Sequence, residues 1–170
     1  MRVDKTQNAS FGMALKIKPE AKAALTESSM ETIKKLNKLG KSLRKDKHSN
    51  LLIGKDLQPS VTDIAKSREH VAPFKAHKPY NSFFAFDSYV AGQPNIATYE
   101  LVNQKAAEKA YSAIAKTNDP IEQATVLTRV IEDSTELKAV RTAKEAADRA
   151  KMEKAANALF SKFGEAKSHI

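Results

Sequence analysis

Residues 28 to 47, SSMETIKKLNKLGKSLRKDK, combine a helical apolar face with the densest charge in the chain. At about 100° per residue, Ile33, Leu36, Leu39 and Leu43 fall on one side, while Lys34, Lys38, Lys41 and Lys45 form a narrow stripe opposite. A helix of this kind needs a core for its apolar side and leaves its cationic side to water or to a partner. Ser28 with Glu31 three residues on reads as a capping box, so the helix is expected from Ser28 or Ser29 to Lys45. Gly40 costs about 1 kcal/mol relative to Ala inside a helix and marks a bend or a close approach.

The charge around this helix is unevenly distributed. Residues 1–80 hold 17 Lys plus Arg against 8 Asp plus Glu, and residues 81–170 hold 12 against 12, so the first half carries the whole net charge of +9. Seven basic residues lie between Lys34 and Lys47, facing one acid, Asp46. An electrostatic partner is therefore expected at the N-terminal half, and phosphate backbones, anionic lipids and acidic proteins all answer to that charge.

Before this helix, Met13, Leu15 and Ile17 alternate with Ala14, Lys16 and Lys18, which predicts a half-buried strand. Pro19 opens a short helix over Glu20 to Glu27. After it, Leu51-Leu52-Ile53 before Gly54 reads as a short buried strand, and Gln58 to Thr62 as an edge strand or extended loop. The X-Pro steps and charges between Ala65 and Tyr80 predict a loop, with one helical turn at most. In Ser82 to Val90, Phe84, Phe86 and Val90 share one face, and Phe83, Asp87 and Tyr89 the other. Gly92-Gln93-Pro94-Asn95 reads as a turn and Ile96 to Val102 as the returning strand of a hairpin. The rival is a helix capped by Asn95.

From Asn103 the pattern is helical, with Ala107, Ala110, Tyr111 and Ile114 on one stripe. Asp119-Pro120-Ile121-Glu122 supplies an N-cap, a Pro at N1 and a Glu at N3, starting a helix whose apolar face is Ile121, Ala124, Leu127, Val130 and Ile131. The stretch to Phe163 is one helix, or two divided at Asp133 to Glu136, with Leu159, Phe160 and Phe163 expected to dock its far end on the body. The resulting expectation is a single α+β domain over 11–164: a small antiparallel sheet packed by the basic helix and two or three C-terminal helices, with all-α as the alternative. Residues 1–10 are expected to form a flexible N-terminal arm and 165–170 a frayed tail.

Several chemistries are excluded or left without a sponsor. The chain has no Cys, hence no disulfide framework, thiolate nucleophile or Cys zinc site. His70 and His77 are seven apart with no carboxylate at helical metal spacing, and no nucleophile elbow or phosphate-binding glycine loop occurs. Asp56, Asp63, Asp87 and Glu100 would need to converge to hold a cation. No enzyme, cofactor or metal is therefore expected. The Phe83 to Phe86 aromatics are assigned to the core rather than to base stacking. No apolar run approaches the roughly 18 residues of a membrane span, and the N-terminus lacks the apolar stretch of a secretory signal, which predicts cytoplasmic residence.

The function expected from these residues is non-enzymatic binding of RNA, DNA or ribonucleoprotein, or of an acidic protein, through Lys34, Lys35, Lys38, Lys41, Arg44 and Lys45. The competing expectations are a merely solvated lysine face, and an adaptor whose Ala-rich helix from about Thr135 to Phe163 pairs with another helix or with itself.

Overall fold

The computed structural model describes residues 14–43 and 47–164. The expected arm over 1–10, the tail over 165–170, and Arg44 and Lys45 lie outside the described residues. The chain divides into two compact units, Met1–Thr135 and Glu136–Ile170, and the boundary falls within the stretch that the sequence treats as one domain.

In the first unit, β1 (Leu15–Ile17) leads through a 3-10 turn (Pro19–Ala21) to α1 (Lys22–Glu27) and α2 (Met30–Leu43). There follow β2 (Ser49–Ile53), β3 (Pro59–Asp63), β4 (Arg68–Tyr80), β5 (Phe83–Val90) and β6 (Gln93–Glu100), then α3 (Gln104–Ala115) and α4 (Pro120–Phe163). The six strands make one sheet in the order β1-β2-β3-β4-β5-β6. The expected α+β class holds, but the sheet is larger than foreseen and mixed. Strand β1 lies parallel to β2, because α1 and α2 carry the chain back between them, and the remaining neighbours are antiparallel.

Strand β4 is the main departure from the sequence reading, being a 13-residue strand paired on both edges where a loop was expected. Its prolines are tolerated because the ladder to β5 is interrupted twice, between Val71 and Lys75 around Pro73, which follows a cis peptide bond, and between His77 and Tyr80 around Pro79. The backbone groups released there find side-chain partners. Gln58 Nε2 donates to the Ala72 carbonyl at 2.6 Å, and the Phe74 amide donates to Gln123 Oε1 at 3.1 Å. Strand β3 likewise lies inside the sheet, with Pro59 at its first residue.

The expected β5-β6 hairpin is present, with its turn two residues earlier. Ala91 and Gly92, both in the left-handed region (φ 52° and 77°), connect strands whose ladder runs from Val90↔Gln93 to Phe83↔Glu100. Helix α2 starts from Ser29, whose hydroxyl accepts from the Thr32 amide at 3.2 Å, rather than from a Ser28–Glu31 box. The caps expected on the later helices are in place: Asn103 Oδ1 accepts from the Ala106 amide and Asp119 Oδ1 from the Ile121 amide, each at 2.9 Å. Residues 120–163 form one helix.

The core lies on one face of the sheet. Leu51, Val61, Phe74, Phe84, Phe86 and Tyr99 meet Ala107, Ala110 and Ile114 of α3, Ala124, Leu127, Val130 and Ile131 of α4, and Leu43 of α2. Phe86 sits at the centre, edge-on to Phe74 and His70 and stacked on Tyr99 at 6.1 Å. A smaller cluster of Ala21, Leu36 and Ile53 fixes α2 beside β1. Gly40 serves the close approach there, since a Cβ on it would stand 2.9 Å from Leu15 Cδ2.

The first turns of α4 are tied to the sheet by a carboxylate. Glu132, 7% exposed, accepts from the amides of Lys47 and His48 at 2.8 and 2.6 Å and from the Ser49 hydroxyl at 2.8 Å, which satisfies the chain entering β2.

Candidate nucleic-acid interface

Helix α2 turns Leu36 and Leu43 fully inward and leaves Lys34, Lys35, Lys38 and Lys41 exposed. The intended separation of an apolar and a cationic face is thus realised, except that Ile33 remains 38% exposed. Lys34, Lys38 and Lys41 keep to one side, about 6 and 10.5 Å along the axis from the first to the others. Among the described residues none of the three has an ion-pair partner.

Lys35, about 100° round the helix, is differently placed. Its ammonium pairs with Asp119 and stands 3.9 Å from Glu122 Oε1, joining α2 to the start of α4. Burial alone raises the Asp119 carboxyl, but the Lys35 ammonium and the Ile121 and Glu122 amides outweigh it and hold it below the usual carboxylate range. One of the six predicted contact residues is therefore engaged in holding the fold. Arg44 and Lys45 lie outside the described residues.

Grooves of about 390 and 380 Å³ border α2 on its two sides. Leu15, Ile17, Leu25 and Ile33 line the first with Lys41 beside them; Leu39, Ile121 and Val126 line the second with Lys35 and Lys38. No aromatic side chain lines either, so the surface offers ammonium charge and aliphatic contact without a stacking platform for bases.

Exposed aromatics occur elsewhere. Phe84 and Phe86 are fully buried as expected, but Phe83 and Tyr89 are 42% and 51% exposed on the sheet face away from α3, a correction to the reading that placed all of the phenylalanines of this strand in the core. That face is not cationic: Lys75 lies opposite Asp87 in the ladder, and His77 Nε2 meets Asp87 Oδ1 at 2.7 Å. Asp63 and His70 point into the core and Asp87 and His77 lie on the opposite face, and among the described residues no three acids or histidines gather as a metal site would need.

One buried polar chain was not visible in the sequence. Tyr99 donates to Asp63 Oδ2 at 2.6 Å, its oxygen stands 3.5 Å from His70 Nε2, and His70 Nδ1 meets Ser88 Oγ at 3.0 Å. Lys66 lies over the Tyr99 ring, 4.1 Å from its centroid. Burial raises the Tyr99 hydroxyl, reinforced by its bond to Asp63, and burial lowers the His70 imidazole, against the pull of Asp63 and with the help of Arg68 and Lys66. All four side chains are 4% exposed or less, so the chain of bonds is enclosed in the core. Their sequence separations, 36 residues for Asp63 and Tyr99, left no local signal.

In the second unit, residues 139–163 are exposed throughout. Leu159, Phe160 and Phe163, expected to be buried by docking, are 62%, 75% and 58% exposed. Among the described residues no helix is long and apolar enough to cross a membrane. Comparison with protein-family models, curated proteins and solved structures finds no match for this chain.

Proposed function

We propose that this is a non-enzymatic, cytoplasmic binding protein that holds the phosphate backbone of RNA or DNA on helix α2 through Lys34, Lys38 and Lys41, with Arg44 and Lys45 following in the sequence. The observation that carries this reading is the arrangement of the three lysines: they share one exposed helix side, lack acidic partners among the described residues, and belong to the half of the chain that holds all of its excess charge. The nearby acids Asp119 and Glu122 are drawn to Lys35, and Glu31, one turn before Lys34 on the same helix, forms no ion pair with the stripe among the described residues.

Lysine presents a point charge rather than a planar fork, and neither groove beside α2 offers an aromatic face. Binding of this kind follows phosphates and is indifferent to base sequence. Each neutralised phosphate releases counterions, so affinity falls steeply with salt. The test is a titration of labelled RNA and duplex DNA at several salt concentrations with the wild type and with a K34Q/K38Q/K41Q variant. Salt-insensitive binding, or binding the variant leaves unchanged, overturns the proposal.

A further inference from the structure

The far end of α4 carries an apolar stripe that the nucleic-acid reading does not use. At about 100° per residue, Met152, Ala155, Ala156, Leu159, Phe160 and Phe163 fall within an arc of about 140°. Met152, Leu159, Phe160 and Phe163 are 70%, 62%, 75% and 58% exposed, a concentration of bulky apolar surface that marks an interaction site.

Two features select the occupant. The stripe is short: upstream of Met152 the same side of the helix holds Lys138, Arg141, Glu145, Asp148 and Arg149, so the apolar run covers twelve residues, about 18 Å. A coiled coil with a second copy needs three or four heptads of continuous seam, and this stripe supplies fewer than two. The upstream alanines, Ala139, Ala143, Ala147 and Ala150, lie on the opposite side and cannot prolong it.

The second feature is charge. Residues 136–163 hold seven Lys plus Arg against four Asp plus Glu, a net of +3 that the balance over 81–170 conceals. Two copies repel each other at this element, whereas an anionic surface attracts it. Lys151 and Lys162 flank one edge of the stripe and Glu153 the other, and the Lys162 ammonium lies 5.5 Å from the Phe163 ring centroid.

We infer that residues 152–163 bind the surface of an anionic lipid bilayer, lying in its plane with Met152, Leu159, Phe160 and Phe163 at the acyl boundary and Lys151 and Lys162 among the headgroup phosphates. Phe and Leu on one side and lysines at the edge suit this interface, where long lysine stems reach the headgroups while the apolar side stays in lipid.

The chain has no Trp, so Phe160→Trp in the full-length protein gives a single reporter. With vesicles of phosphatidylcholine mixed with phosphatidylglycerol its emission shifts to the blue, and with phosphatidylcholine alone it does not. L159S/F163S weakens co-sedimentation of the otherwise wild-type chain with the mixed vesicles by roughly a hundredfold, while its helical circular dichroism stays intact. K34Q/K38Q/K41Q in the Phe160→Trp background keeps the blue shift, which separates this site from the α2 face. No shift with either vesicle overturns the inference and returns the stripe to a groove on a folded protein. Equal sedimentation of L159S/F163S overturns it too, as does a lipid-free mass that rises with concentration and that L159S/F163S abolishes, since a second copy would then occupy the stripe.

Discussion

The hydroxyl of Tyr99 on β6 donates to the carboxylate of Asp63 on β3 at 2.6 Å, although two strands lie between them. In a flat sheet those strands would stand about 14 Å apart, so the contact reports a sheet curled towards its helical layer. Asp63 Oδ1 also accepts from the Lys66 amide at 3.2 Å and so closes the β3–β4 turn. Removing the hydroxyl leaves a buried carboxylate without its shortest donor while the ring still stacks on Phe86. Tyr99→Phe is expected to cost about 1.5–3 kcal/mol in urea unfolding. An unchanged midpoint would mean that Asp63 finds another donor.

His70 gives this cluster a pH dependence. Burial holds its folded-state pKa below the unfolded value, so the unfolded chain binds the extra proton on acidification. Its contribution is fully present above about pH 6.5 and is lost as pH falls below that towards the folded value. Lowering the pH from about 7.5 to about 5.5 should therefore destabilise the wild type more than His70→Asn. The opposite ranking contradicts a neutral, buried imidazole.

Glu132 is the corresponding link between α4 and β2. Glu132→Ala strips the Lys47 and His48 amides and the Ser49 hydroxyl of their acceptor and should cost about 3 kcal/mol or more. Equilibrium denaturation measures it, and a loss under about 1 kcal/mol would show that water replaces the carboxylate without strain.

What was legible in the sequence follows how locally each feature is determined. The caps at Asn103 and Asp119 act within three residues, and the alternation of Phe84 and Phe86 with their neighbours is a period of two, so both read directly. Strand β4 did not, because Pro73 is accommodated through Gln58 and Gln123, which lie 14 and 49 residues from the groups they satisfy. The candidate site divides in the same way. The lysine stripe is a property of one helix and was visible in the spacing, whereas the diversion of Lys35 to Asp119 spans 84 residues and required the fold. The spacing of Leu159, Phe160 and Phe163 was equally visible. Their exposure was not, because an apolar stripe signals burial against something without saying what.

Lys35 should accordingly separate stability from binding. Its pair with Asp119 is partly exposed, so Lys35→Gln should cost no more than about 1 kcal/mol, measured as a lower unfolding midpoint. It should weaken nucleic-acid binding less than Lys34→Gln, Lys38→Gln or Lys41→Gln, each measured by fluorescence anisotropy. Equal losses at all four positions would mean that Lys35 leaves Asp119 to meet phosphate.

The most direct test of the proposed function is the salt dependence of that binding. Three phosphate contacts predict that K34Q/K38Q/K41Q lowers the slope of log affinity against log salt by roughly 2.7 on duplex DNA and roughly 2.1 on single strands, without changing the preference among sequences. An unaltered slope, or the absence of salt-dependent binding in the wild type, would contradict the assignment of this helix face to the phosphate backbone.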